Sequence, residues 1–275
     1  MHLIVEFWGT RSLIPLAASL PRQYGGHTAC VSISGSNGCY MVFDCGTGAI
    51  PLGTAPAIVK ETPFYFFISQ YSWDRLQGLP FFQPLFDRGF QAEFYAPSTE
   101  DVNPEHILEM QMRYEFFPVS FRSLPCQRRC PHQTYESDRP VKIDTAPSFP
   151  GTAAFLGLHP HLPVSAFRLN TQKKSLAYAV HIDWENPYPQ LKELSAFLQD
   201  MQLFITCLPV NEMGWNNFWR VQKTANLKHI VFSDYSPYLD DAFITSALQA
   251  AQAESAKRDS DIVVQAAYDN LKIIM

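Results

Sequence analysis

The chain has 275 residues, of which 47% are hydrophobic and 17% are charged. This balance excludes a disordered, coiled-coil or collagen-like protein. The formal net charge of −5 provides no basic footprint of the kind that nucleic-acid-binding proteins show. No apolar run reaches the ~18 residues of a membrane helix, and the first residues lack a signal-peptide pattern. We therefore expect a cytoplasmic protein that does not enter a membrane.

Strand patterns dominate the first half of the chain and alternate with helical patterns in the second half. Strands are predicted at 3–8, 28–34, 40–43, 64–68, 164–169, 175–180, 203–207 and 229–232. Helices are predicted at 103–114, 189–200, 216–226 and 238–257. Residues 262–274 predict a terminal hairpin that turns at Asp269-Asn270, and the proline-dotted stretch 125–163 predicts an irregular bridge. The mixture indicates an α/β layered fold.

Short sequence blocks, spread over nearly the whole chain, carry a resemblance to one fold family. They are Phe7–Arg11, Tyr24–Cys30, Phe43–Gly48, Ser69–Phe82, His159-Pro160, Leu176–Ala179 and Gly214-Trp215. Together they resemble the metallo-β-lactamase fold, and within it the phosphodiesterase branch related to the tRNA 3′-processing nucleases. The resemblance implies an αββα sandwich of two mixed β-sheets flanked by helices, with the site at one edge between the sheets. It also implies one domain over residues 1–275, with two pseudo-symmetric halves at roughly 1–140 and 141–275.

The resemblance is least complete at the metal-binding loop. The family holds two metals through a His-x-His-x-Asp-His loop, since neutral imidazoles and carboxylates bind zinc-like ions that activate water and clamp a phosphoryl group. In this chain Gln70 and Ser72 stand at the first two histidine positions. Asp74 keeps the aspartate, and Arg75 stands at the third histidine position.

The remaining family ligands lie in the second half of the chain. His159 matches the later histidine, whereas His181 stands at the position of the bridging aspartate. Ser233 or Asp234 stands at the final histidine position. The resemblance therefore implies a degenerate site in which most metal ligands are replaced, without catalytic residues or a cofactor.

Arg75 suggests what replaced the metals. A guanidinium keeps its proton and has no lone pair to offer a metal ion. We expect Arg75 to take the electrostatic place of the metals by pairing with Asp74 and with Asp234, which would otherwise be buried without a partner.

Two alternatives stay open for the retained ligands. Asp74, His159, His181 and Asp234 offer two imidazoles and two carboxylates, a set that one Zn, Fe or Mn ion would accept if Arg75 pointed away. In the other alternative, His159 and His181 are hydrogen-bonded remnants in a partly buried cleft.

These residues predict a catalytically inactive protein that acts as a binding, regulatory or assembly module for a protein partner. A residual phosphodiesterase with one metal is the competing enzyme hypothesis. A third hypothesis is a sensor of a nucleotide-like phosphate ligand, in which Arg11, Arg75 and His181 contact the phosphate and Trp73 and Trp215 belong to an aromatic rim. Arg11 alternatively braces a loop. A homodimer is plausible from the resemblance alone.

Overall fold

The structure is a computed structural model that describes residues 2–17, 22–35, 38–56, 62–136, 139–188, 190–259 and 261–275. Its strands are β1 (Leu3–Gly9), β2 (Cys30–Gly35), β3 (Tyr40–Phe43), β4 (Pro63–Phe67), β5 (Gln91–Tyr95), β6 (Pro97–Ser98), β7 (Gln127–Arg129), β8 (Gln133–Thr134), β9 (Val141–Ile143), β10 (Gly151–Gly157), β11 (Ser165–Thr171), β12 (Ser175–Ala179), β13 (Leu203–Cys207), β14 (His229–Ser233), β15 (Val263–Ala266) and β16 (Lys272–Ile274). Its α-helices are α1 (Ala49–Gly53), α2 (Trp73–Leu76), α3 (Pro104–Gln111), α4 (Leu191–Phe197), α5 (Glu212–Ala225) and α6 (Asp241–Arg258).

Two seven-stranded mixed sheets form the centre of the molecule. The first has the order β16-β1-β2-β3-β4-β5-β7, and the second has the order β9-β10-β11-β12-β13-β14-β15. Read in these orders, each sheet has three antiparallel pairings followed by three parallel ones. The loops after the parallel strands, where α/β proteins place their ligands, therefore occur in both sheets.

The two sheets pack face to face through aromatic side chains. Phe43 of the first sheet stacks on Tyr178 of the second, with ring centroids 4.7 Å apart, and it also lies 6.0 Å from Phe167. Separate apolar clusters on the outer faces join the first sheet to helices such as α3 and the second sheet to α4, α5 and α6. A strand buried on both faces reads as a continuous apolar run, which explains the sequence at 64–68. The expected αββα sandwich is confirmed.

The prediction of a terminal hairpin is wrong. β15 pairs in parallel with β14 in the second sheet, whereas β16 pairs antiparallel with β1 in the first. The chain does turn at Asp269-Asn270, and the Asn270 backbone N–H donates to the Phe7 carbonyl over 2.6 Å. A turn signal fixes where the chain reverses but carries no information about which strand each arm joins.

The prediction of an irregular bridge over 125–163 is also wrong. This stretch contains β7 and β9 and the seven-residue strand β10, which pairs with β9 on one side and β11 on the other. Its sequence, Gly-Thr-Ala-Ala-Phe-Leu-Gly, has only one β-branched residue, so the strand is formed by pairing rather than by propensity. Small residues fit there: a Cβ on Gly151 would lie 2.1 Å from the Asn170 carbonyl oxygen.

Among the described residues, no helix combines the length and the apolar character that crossing a bilayer requires.

Candidate functional site

Three loops at the carboxyl ends of strands bring the central charged residues together. Asp44 follows β3, Arg75 lies in the short helix α2 that follows β4, and Asp234 follows β14 of the other sheet. Asp44 and Asp234 both have left-handed backbones, with φ of 58° and 61°. Aspartate is among the few residues that tolerate this conformation, which turns the chain sharply as each strand ends.

Arg75 is the centre of this site, and only 1% of its side chain is exposed. Its Nη2 atom lies 2.6 Å from Asp234 Oδ1 and 3.4 Å from Asp74 Oδ2, and Nη1 lies 3.7 Å from Asp44 Oδ2. We call these four residues the Arg75 cluster. Burial alone would lower the pKa of Arg75, but the carboxylates, Asp234 and Asp44 foremost, outweigh it and raise the pKa. The guanidinium is therefore a permanent buried cation.

The residues at the replaced histidine positions hydrogen-bond to one another and hold Asp74. Gln70 Nε2 donates to Ser72 Oγ over 2.8 Å, and Ser72 Oγ donates to Asp74 Oδ1 over 2.5 Å. The other oxygen, Asp74 Oδ2, accepts the backbone N–H of Leu13 over 2.9 Å. Two neutral side chains thus orient a carboxylate toward Arg75.

Asp44 is held by a second set of hydrogen bonds. Asp44 Oδ1 accepts the Ser69 backbone N–H, and Oδ2 accepts the Tyr178 hydroxyl, both over 2.8 Å. Ser69 Oγ lies 2.8 Å from Asp44 Oδ2 and 2.9 Å from His181 Nε2. Because an ionised carboxylate only accepts, Ser69 donates to Asp44 and accepts from a proton on His181 Nε2.

This geometry limits the chemistry of Ser69 and His181. The serine stands between the carboxylate and the imidazole and is fully buried, so the set is not the nucleophile–base arrangement of a serine hydrolase. Burial, and next the charge of Arg75, lower the pKa of His181, which keeps the imidazole neutral. With its Nε2 proton committed to Ser69, His181 acts as a hydrogen-bond donor.

His159 has different partners. Its Nδ1 atom accepts the backbone N–H groups of His161 and Leu162, over 3.1 and 3.0 Å. Of the two candidates at the final ligand position, Asp234 rather than Ser233 contacts Arg75. Within the described part of the chain, no three His, Cys, Asp or Glu side chains are arranged to hold a metal ion. The residues present do not fit the metal centre of the family.

Arg11 is also buried, but its side-chain hydrogen bonds go to residues outside the Arg75 cluster. Its guanidinium donates to the carbonyl oxygens of Gly25 and Leu239 over 2.9 and 3.2 Å, and to Asp241 over 3.2 Å. Each of its three nitrogens thus donates to a loop or to Asp241. The side chain braces these loops and has no unpartnered nitrogen with which to bind a phosphate.

The two tryptophans proposed for the aromatic rim differ in exposure. Trp73, beside Asp74 in the chain, is 68% exposed. Trp215 is half-buried against Phe218 and Trp219 of α5. Of the two, only Trp73 exposes most of its side chain to solvent.

Sequence reasoning missed Asp44, Ser69 and Tyr178 as members of the site. Asp44 lies in the block Phe43–Gly48, which contributes to the resemblance but holds no family ligand. The available signal was a charged residue placed directly after the buried strand β3, because a buried carboxylate requires partners. Burial raises the pKa of Asp44, although Arg75 opposes this.

Comparison with solved structures identifies the architecture. The metallo-β-lactamase fold protein YhfI from Bacillus subtilis aligns with a TM-score of 0.65 and 15% identity, covering 100% of both chains. The short form of human tRNase Z gives 0.68 and 13%, covering 98% of each chain. Zn²⁺-bound PqqB from Methylobacterium extorquens gives 0.59 and 12%, covering 99% of each. The chain has the metallo-β-lactamase fold. No protein-family model and no curated protein matches its sequence.

In this metallo-β-lactamase fold, the pKa shifts within the Arg75 cluster predict how the free energy of unfolding depends on pH. Burial raises the pKa of Asp234 from its ordinary 3.8 to about 6 although Arg75 opposes the shift, and Asp44 shifts in the same direction. Between pH 6 and 4 the folded state therefore holds protons that the unfolded chain does not. We expect Asp234 to raise the free energy of unfolding by roughly 1–1.5 kcal/mol as the pH falls from 7 to 5, and Asp44 to act in the same direction.

Urea denaturation at pH 7 and pH 5 measures this effect. Most proteins lose stability on acidification because their paired carboxylates have lowered pKa values. The variant Asp234→Asn removes the titrating group and should flatten the response. A wild-type protein that loses stability over this range, or an unchanged slope in the variant, would contradict the assignment.

Proposed function

We propose that this chain is a non-hydrolytic binding module in which a fixed organic cation has replaced the metal centre of the metallo-β-lactamase fold. One observation carries the proposal. The Arg75 guanidinium is buried within 2.6 to 3.7 Å of three carboxylates, and Arg75 and two of these partners, Asp74 and Asp234, stand at positions where the resemblance places metal ligands. The module would serve regulation or assembly rather than catalysis.

Electrostatics supports this replacement. Two unit charges 4 Å apart interact by about 4 kcal/mol at an effective dielectric of 20, and a dication doubles that repulsion from Arg75. Moving Arg75 aside would break its ion pairs with Asp234 and Asp74 in a buried setting, which is costly. Binding a metal in the present arrangement thus requires both a displaced guanidinium and new ligands.

The neighbouring side chains do not supply those ligands. Gln70 and Ser72 are neutral groups bonded to each other, and His181 directs its Nε2 proton at Ser69. His159 uses its Nδ1 atom on backbone amides. The alternative mononuclear site of Asp74, His159, His181 and Asp234 is not assembled among the described residues.

Exposed apolar side chains on the first half support a binding role. Trp73, Phe81 and Tyr114 are mostly exposed, and Phe81 packs edge-on against Phe117. Aromatic residues of this kind are enriched in the parts of interfaces that carry most of the binding energy. These exposed rings support a protein as the partner of the proposed module.

Elemental analysis and a hydrolysis assay test the proposal together. We expect protein purified without chelator to contain only substoichiometric zinc, iron and manganese. It should hydrolyse bis(p-nitrophenyl) phosphate no faster than buffer, with or without added metal. One tightly bound transition metal per chain, together with turnover that a chelator abolishes, would instead establish the residual phosphodiesterase.

A further inference from the structure

A cavity of about 510 Å³ lies apart from the Arg75 cluster, beside the loop Gly25–His27. Its volume is within the range of pockets that hold small organic ligands. Leu16, Ile50 and Tyr268 line it with apolar side chains, and Arg22 and His27 line it with nitrogen-bearing ones. No member of the Arg75 cluster lines it.

Asp269 builds the frame of this cavity. Its Oδ2 atom accepts the backbone N–H groups of Gly26 and His27, over 2.9 and 3.2 Å. Gly25 has φ of 80°, and a Cβ there would lie 2.3 Å from Asp269 Oδ1. The loop therefore needs glycine to approach the carboxylate, and its shape is fixed before any ligand arrives.

The hydrogen bonds of Thr47 assign the tautomer of His27. Thr47 Oγ1 accepts the Thr28 backbone N–H over 2.9 Å and the Thr28 hydroxyl over 3.4 Å. Its own proton is then free for His27 Nδ1, which lies 3.2 Å away. In a neutral imidazole whose Nδ1 accepts, Nε2 carries the proton. The exposed His27 ring thus has an Nε2–H that no described residue accepts.

Arg22 supplies a positive charge. It forms no salt bridge among the described residues, and its Nε atom is shielded from solvent without a hydrogen-bond partner. The negative charge of Asp269 is already engaged by two backbone N–H groups.

We infer that this cavity binds a small organic phosphate monoester, with Arg22 and His27 contacting the phosphate and the apolar wall covering the organic group. A guanidinium and an imidazole at separate points of the lining suit a group with three acceptor oxygens. The inference goes beyond the Arg75 cluster, and it would hold whether or not that cluster proves inactive.

Isothermal titration with phenyl phosphate tests it. We expect saturable binding that is at least tenfold tighter than that of inorganic phosphate or phenol, since both ends of the ligand are needed. Arg22→Gln should weaken the binding of phenyl phosphate about tenfold, and His27→Phe should weaken it severalfold. Arg220→Gln is the matched control, because Arg220 is an exposed arginine of α5 remote from the cavity lining.

Circular dichroism must show that each variant has the wild-type melting temperature. Absence of binding to the wild type would overturn the inference. Equal affinity of the wild type and Arg22→Gln would overturn it as well, because the phosphate would then be held elsewhere. Benzoate binding as tightly as phenyl phosphate would overturn the choice of phosphate. Metal content decides the proposed function separately.

Discussion

We expect Arg75→Met to lower the free energy of unfolding by about 3–5 kcal/mol, because it leaves Asp44, Asp74 and Asp234 buried without their cation. Methionine has a comparable length and fills the space, so the loss reports on charge rather than on a cavity. Urea denaturation at pH 7 measures the change. The loss should shrink at pH 5, where Asp234 takes up a proton.

Two variants separate charge from other effects. Arg75→Lys keeps the charge but loses the planar fork, and should cost less than Arg75→Met. Arg220→Met changes an exposed arginine and should stay within about 0.5 kcal/mol of wild type. A loss below about 1 kcal/mol for Arg75→Met would show that the guanidinium does not hold the carboxylates together.

Restoring the family ligands should restore metal binding. In the triple variant Gln70→His, Ser72→His and Arg75→His, the loop reads His-x-His-x-Asp-His, and the repelling cation is gone. We expect this variant to bind zinc and to be stabilised by it by about 2.7 kcal/mol at a zinc concentration one hundred times the Kd. Thermal unfolding in zinc and in chelator gives the difference directly.

The wild type is the control for this experiment and should melt at the same temperature in zinc and in chelator. In chelator the triple variant should be as unstable as Arg75→Met, since both lack a cation at the carboxylates. A triple variant that folds but is not stabilised by zinc would show that residues around the ligand positions also prevent metal binding.

Local patterns identified most of the fold. The apolar run at 64–68 marks β4 because both faces of that strand are buried, and Asn103-Pro104 correctly predicts where α3 begins, since Asn103 Oδ1 accepts the His106 N–H. β10 escaped detection because its small residues have little strand propensity. The pairing of β16 with β1 was also not predicted, because the two strands lie more than 260 residues apart in the sequence.

The contacts of the candidate site were also predicted only in part. The ion pairs of Arg75 with Asp74 and Asp234 follow from placing single residues against the family's ligand positions, and the structure contains both. The support of Asp44 by Ser69 and Tyr178 did not follow, because it joins loops of the first sheet to strand β12 of the second through side-chain geometry. Burial decides which polar residues must pair, and only the assembled sandwich shows the burial.

The return of β16 to the first sheet has a consequence for biosynthesis. β1 is synthesised before the other described strands, yet its neighbour β16 is made only after every strand of the second sheet. Until then β1 has an open edge next to an apolar interior, where another nascent chain is able to add a strand. A fragment that stops near residue 140 would keep that edge, and should aggregate where the full chain stays dispersed.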